Sequence, residues 1–292
     1  MKRHVTSLLL RLLLTGGTAA LLSVDAPLVA QEAGTVVAAD KRVQGRSYVF
    51  QETGESIQYA LFVPDNYVPT KKWPLIVGLH GAGRPYDWLM GYTGIIDFAQ
   101  RDGYVMVTPL GYHPLGGFGV PRRPAPAASS ASSAPAAPAR QAAAPLPANI
   151  AELSEKDVLN VLGIARKEFN IDPDRIYLWG HSMGGGGTYH LAAKYPDLWA
   201  GLALAAPSPP ADLSVLERFR HVPVLVMHDD EDKTIPIART REAVAKMQQL
   251  GMQYVYVEVK GGDHSLFISK NRDMVSKLFS FFDVARKNER PH

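Results

Sequence analysis

The sequence predicts an α/β architecture, a mostly parallel central sheet with helices on both faces. Three observations carry that expectation. Short apolar runs rich in β-branched and aromatic residues alternate with longer stretches of helical composition, as parallel strands joined by crossover helices require. Residues Gly180-His181-Ser182-Met183-Gly184 spell G-x-S-x-G between one such run and one such stretch. Two later apolar runs end in loops, the first bearing carboxylates and the second a histidine.

The elements follow in chain order. Residues 43–51 and 56–63 read as an initial antiparallel pair. Strands are expected near 74–80, 104–109, 175–180, 201–206, 222–228 and 253–260. Helices are expected near 92–102, 154–169, 184–195, 237–250 and 271–287. The strand before the serine is Arg175-Ile176-Tyr177-Leu178-Trp179, bracketed by Pro173 and Gly180. The last helix has apolar residues at 274, 275, 278, 281, 282 and 285, one core-facing stripe at helical spacing. No internal repeat is present.

Two segments stand apart from this pattern. Residues 1–30 read as a secretory signal peptide, with Lys2, Arg3 and His4 ahead of an apolar stretch from Leu8 to Leu22. Cleavage after Leu28-Val29-Ala30 is favoured over an uncleaved anchor, because Arg11 and Gly16-Gly17 leave the apolar run too short to span comfortably. Pro121 to Ala148 holds 12 Ala, 7 Pro and 4 Ser in 28 positions and no acid. Such a segment buries too little to offset its ordering, so a disordered insertion is expected, neutral at a loop tip or acting as a lid. Residues 31–292 are expected to form one catalytic domain around it.

Charge and cysteine content exclude several classes. Removing Lys2, Arg3, Arg11 and Asp25 from 31 basic and 28 acidic side chains leaves 28 and 27. That balance gives no steering toward nucleic acid or an anionic membrane, so neither is expected as a partner. The absence of cysteine rules out thiolate chemistry and thiolate metal sites. No His-Glu-x-x-His, phosphate loop or dinucleotide fingerprint occurs, so no cofactor and no metal are expected. Asp229-Asp230-Glu231-Asp232 lacks the spacing of a calcium loop.

A strand that stops and re-enters as a helix must turn within a few residues, and glycines beside Ser182 permit that turn. The turn lifts the hydroxyl to the sheet's end at a helix N-terminus, where unpaired N–H groups favour negative charge. A serine hydroxyl is a weak nucleophile until a base takes its proton and a third group holds the base. In a strand–elbow–helix fold the order is serine, acid, histidine. Downstream, Val222 to His228 leads into Asp229-Asp230-Glu231-Asp232-Lys233-Thr234-Ile235-Pro236. Tyr254 to Val259 then leads into Lys260-Gly261-Gly262-Asp263-His264. His264 is therefore the expected base. His80 and His181 are expected to pack or bond locally and His228 to be structural. His113, His190 and His221 have no evident partner.

These motifs, with Leu79-His80-Gly81-Ala82-Gly83 and Ile171-Asp172-Pro173-Asp174-Arg175-Ile176-Tyr177, resemble those of the α/β-hydrolase superfamily. Within it, the secreted esterases related to polyhydroxybutyrate depolymerases and feruloyl esterases look most similar. The resemblance covers residues 45–285 without the 121–148 segment. It implies Asp232, placed before Ile235-Pro236, as the acid, with Asp230 the runner-up. Asp229 stands where a glycine is more usual. It also implies an oxyanion hole from the N–H groups of Ala82 and Met183.

The implied activity is cleavage of carboxylic esters through an acyl-enzyme, on a small-molecule or polymeric ester substrate, by a secreted or periplasmic enzyme. No stable membrane association is expected after signal cleavage, and the oligomeric state is left open. Tyr86, Trp88, Tyr92 and Tyr112 fall in or near loops on the same edge and are candidates to line a substrate pocket. A peptidase or acyltransferase would use the same residues, as would the remnant site of an inactive binding protein.

Overall fold

The computed structural model describes residues 40–121 and 145–287. The expected signal at 1–30 and most of the expected insertion at 121–148 lie outside the described residues. The strands are β1 (Gln44–Val49), β2 (Ser56–Phe62), β3 (Trp73–Leu79), β4 (Val105–Pro109), β5 (Ile171–His181), β6 (Gly201–Ala205), β7 (Val224–Asp229) and β8 (Tyr254–Val259). They form one sheet in the order β1-β2-β4-β3-β5-β6-β7-β8. β1 and β2 pair antiparallel, as do β2 and β4, and every other neighbouring pair is parallel. This is the expected fold class.

The helices are α1 (Ile95–Asp102), α2 (Ile150–Glu168), α3 (Met183–Lys194), α4 (Ile237–Gln249), α5 (Leu266–Ser269) and α6 (Arg272–Val284). Alternation along the strands assigns them to two faces. Leu75, Val77 and Leu79 of β3 and Ile176 and Leu178 of β5 share a core with Val158, Val161 and Leu162 of α2, Leu191 of α3 and Met247 of α4. Ile76, Tyr177 and Trp179, the alternate positions, pack with Ile95 and Phe98 of α1 and Leu278, Phe279 and Phe282 of α6. Because both faces are covered, β3, β4, β6 and β7 are buried at every residue. No helix among the described residues is long and apolar enough to cross a membrane.

Several boundaries differ from the sequence expectations, each for a local reason. β5 begins at Ile171, not 175, and Pro173 sits where its register against β3 shifts between Trp73 and Leu75. A residue without an N–H fits such an irregularity. The expected helix at 92–102 begins at Ile95, after Gly94 at φ 82°, and a 3-10 turn at Trp88–Gly91 precedes it. α2 starts at Ile150, and α6 ends at Val284. On α6, Phe279 is fully buried and Phe281 only partly, so the stripe is shifted toward 279. α5 was not anticipated.

His190, expected to lack a partner, bonds through Nε2 to Glu155 Oε2 at 2.6 Å. Glu155 also accepts from Lys194 Nζ at 2.6 Å and Tyr195 Oη at 2.7 Å. The pairing joins α2 to the end of α3 across 35 residues of sequence, a separation no local pattern reveals. The same turns of α2 hold the loop after β4. Ser154 Oγ accepts from the Phe118 N–H at 2.8 Å, and Asp157 accepts from the Tyr112 N–H at 2.8 Å and the Tyr48 hydroxyl at 2.6 Å.

Two glycines on adjacent helices make opposite demands. A Cβ on Gly184, in the first turn of α3, would lie 2.0 Å from the Leu79 carbonyl oxygen. Gly184→Ala must push α3 off the end of β3, with a loss at the upper end of about 1–3 kcal/mol. A Cβ on Gly163 in α2 meets nothing within 4 Å. Gly163→Ala is expected to stabilise by about 0.5–1 kcal/mol through helix propensity. Urea unfolding of the two variants reads both signs.

Candidate active site

Ser182 sits between β5 and α3 at φ 58° and ψ −117°, a conformation that side chains rarely adopt. Its N–H donates to Ala205 O of β6 at 2.9 Å, and its carbonyl accepts from Gly186 N–H at 3.2 Å. The backbone is thus fixed on both sides of a strained residue. Met183 opens α3, so its N–H has no intrahelical acceptor.

His264 follows β8 in a loop that Asp263 closes, its Oδ1 accepting from the Ser265 and Leu266 N–H groups at 2.7 and 2.6 Å. His264 Nε2 lies 2.8 Å from Ser182 Oγ. Its Nδ1 lies 2.6 Å from Asp232 Oδ2. A carboxylate only accepts, so Nδ1 carries the proton and Nε2 faces the serine hydroxyl with its lone pair. The structure therefore brings Ser182, His264 and Asp232 together.

Asp232 lies in the loop after β7, its side chain wholly buried. Oδ1 accepts from the Thr234 and Ile235 N–H groups at 2.7 and 2.9 Å. Oδ2 accepts from His264 and from His228 Nε2 at 3.0 Å. Burial opposes its ionisation, but the bonds from His228, His264 and the Ile235 N–H outweigh it and hold the carboxyl well below its ordinary range. Asp230 sits elsewhere, accepting from Lys260 Nζ at 2.8 Å and the Gly261 N–H at 3.0 Å. Asp229 is fully buried beside Gly262, one oxygen capping the Glu231 N–H at 2.8 Å.

His228 is a site neighbour that sequence reading reduced to a strand end. Fully buried, it bridges Asp232 and Thr240 Oγ1, the latter 2.8 Å from Nδ1. Its spacing of four residues from Asp232 was the available signal.

Opposite the serine lies the loop after β3. A Cβ on Gly81 would fall 3.6 Å from Ser182 Cβ, so the Gly81 backbone borders Ser182. The loop is braced from behind: the Gly83 N–H donates to Pro114 O at 2.8 Å, and His80 Nε2 lies 2.9 Å from Leu110 O.

Of the aromatic residues expected near the pocket, Trp88 borders this group. The space beside Gly81 is shared by its ring and Ser182, and the Arg84 guanidinium lies 5.0 Å over that ring. Tyr92 is buried, its hydroxyl bonded to His181 Nδ1. Tyr86 lies against Gly45 of β1. Tyr112 packs on Phe50 at 5.3 Å and its hydroxyl bonds to Glu55, so its contacts are with the β1–β2 hairpin and not with the serine.

The chain resembles known proteins in sequence and in fold. A family model described as PET hydrolase-like matches residues 128–286. Cutinase 1 of Thermobifida cellulosilytica is 35% identical over 94 residues, 32% of this chain and 34% of that protein. This chain thus matches about a third of the length of that relative. Among solved structures, a thermostable esterase superposes with a TM-score of 0.60 at 26% identity, covering 84% of this chain and 64% of that one. A ferulic acid esterase from Anaeromyces mucronatus, solved with ferulic acid, gives 0.59 at 14% identity over 83% and 90% of the two chains, a likeness of fold alone. On the family match and the fold together, the chain belongs to the PET hydrolase-like family of α/β-hydrolases.

Proposed function

We propose that this protein is a serine carboxylic ester hydrolase acting through an acyl-enzyme. One observation carries the reading. Ser182 Oγ, His264 and Asp232 form an unbroken hydrogen-bonded series of 2.8 and 2.6 Å at the C-terminal edge of the sheet.

In the proposed mechanism Ser182 Oγ attacks the ester carbonyl as His264 Nε2 takes its proton. The Asp232 carboxylate steadies the imidazolium that forms. Negative charge on the carbonyl oxygen is held by the N–H groups of Ala82 and Met183, donors fixed before the substrate arrives. His264 then protonates the departing alcohol. Water, deprotonated by the same imidazole, attacks the acyl-serine and releases the acid. Asp230 has no part in these steps, because its oxygens are engaged by Lys260 and Gly261.

The family and the relatives' names support a carboxylic ester, small or polymeric, as the substrate class, and the Trp88 ring, beside Gly81 with Ser182, is the aromatic side chain proposed to meet it. Residues 1–30 are read as a secretory signal, which makes the enzyme secreted or periplasmic.

Two experiments test the assignment. Ser182→Ala is expected to abolish hydrolysis of nitrophenyl esters with little change in melting temperature, and near-wild-type turnover would refute it. Asp232→Asn should lower kcat by about three to four orders of magnitude through lost orientation of His264. Asp230→Asn should stay within about tenfold of the parent, having only a surface contact to lose. The reverse ranking would move the acid to Asp230.

A further inference from the structure

His181, beside the serine, is completely buried, and both its ring nitrogens are engaged. Nε2 lies 2.8 Å from the main-chain carbonyl oxygen of His264. Nδ1 is hydrogen-bonded to the Tyr92 hydroxyl. A carbonyl oxygen can only accept, so Nε2 must carry the proton and Nδ1 must accept from Tyr92 O–H. The ring is boxed by Trp88 at 5.2 Å, Phe267 at 6.2 Å and the His264 ring at 5.3 Å.

The consequence is mechanical. Ser182 and His264 stand on separate loops 82 residues apart. His181 ties the elbow to the main chain of His264 itself, by a bond of the same length as the one from Ser182 Oγ to the imidazole. We propose that Tyr92 and His181 form a positioning pair for the ester hydrolase, Tyr92 donating to Nδ1 and so fixing the His181 ring, and His181 holding the His264 backbone in register with Ser182. The inference rests on the esterase reading above.

Electrostatics support the geometry. Burial pushes His181 down to about 3, with the nearby His264 adding to the effect, so it remains neutral beside a base that turns cationic during turnover. Burial also keeps the Tyr92 phenol protonated far above its ordinary range, preserving the donor. Neither group touches the reacting atoms. Both act through His264.

The test uses His181→Phe, His181→Gln and Tyr92→Phe, with kinetics on a soluble nitrophenyl ester, the rate of fluorophosphonate labelling, and melting temperature. His181→Phe removes the donor and is expected to lower kcat about a hundredfold with KM within about twofold. His181→Gln returns an N–H near the Nε2 position and should recover at least about tenfold of that loss. Tyr92→Phe leaves His181 Nδ1 without its donor and the ring less firmly held, and should lower kcat about tenfold. Labelling rates should follow kcat. Folded Phe variants with kcat and labelling within about twofold of the parent would overturn the proposal, as would equal losses in the Gln and Phe variants at 181. Should His181→Phe fail to fold, Tyr92→Phe and His181→Gln decide. Absence of both turnover and labelling in the wild-type protein would count against the esterase reading instead. The nitrogen NMR spectrum of the His181 ring then judges the pair: an Nε2–H tautomer in wild type whose Nδ1 resonance shifts in Tyr92→Phe supports it, and an Nδ1–H tautomer in wild type, or an Nδ1 resonance unmoved in Tyr92→Phe, overturns it.

Discussion

A backbone φ of 58° at Ser182 sets the geometry on which the C-terminal edge of the sheet depends. The strain is tolerated because the surroundings over-determine it. The Ser182 N–H is committed to β6, its carbonyl to the first turn of α3, and Gly184 lies so close to the end of β3 that no side chain fits. A serine in a relaxed conformation would lie along β5 with its hydroxyl among the strands. The turn instead presents it above the sheet, between the loop after β3 and the loops after β7 and β8. His264 and the Gly81 backbone both meet it there.

Charge is managed as tightly as shape. The Asp232 side chain is wholly buried, which alone would favour its neutral form, yet four donors converge on its two oxygens and keep it ionised. Two of those donors are histidines, and their division of labour follows from their other nitrogens. His228 is anchored to Thr240 and has no route to the serine, whereas His264 turns its second nitrogen to Ser182. Since folding depresses the Asp232 pKa, its stabilising contribution is complete above the ordinary carboxylate range. It fades as pH falls through and below that range. A partner that holds its charge through mild acid suits a base whose protonation must be reversible.

The mostly parallel strands, the covering of both faces and the elbow serine followed by a carboxylate and a histidine were legible because each rests on local pattern. Hydrophobic alternation marked the strands, and the glycines marked the elbow. What escaped depended on contacts between distant segments. His190 on Glu155, His228 on Asp232 and the Tyr92–His181 pair join side chains whose neighbourhood exists only after the sheet forms. Tyr112 shows the converse error, for proximity in sequence to the catalytic edge did not prevent its side chain from serving the β1–β2 hairpin. Boundaries failed where a single residue overrode periodicity, as Gly94 does by delaying the start of α1 to Ile95.

Nucleophilic attack by Ser182 is the step on which the proposed ester hydrolysis rests. It is tested most directly by treating the active protein with a fluorophosphonate and mapping the adduct by peptide mass spectrometry. One adduct is expected, on the peptide carrying Ser182, growing in proportion to the loss of hydrolysis. Complete loss of hydrolysis with that peptide unmodified would contradict it.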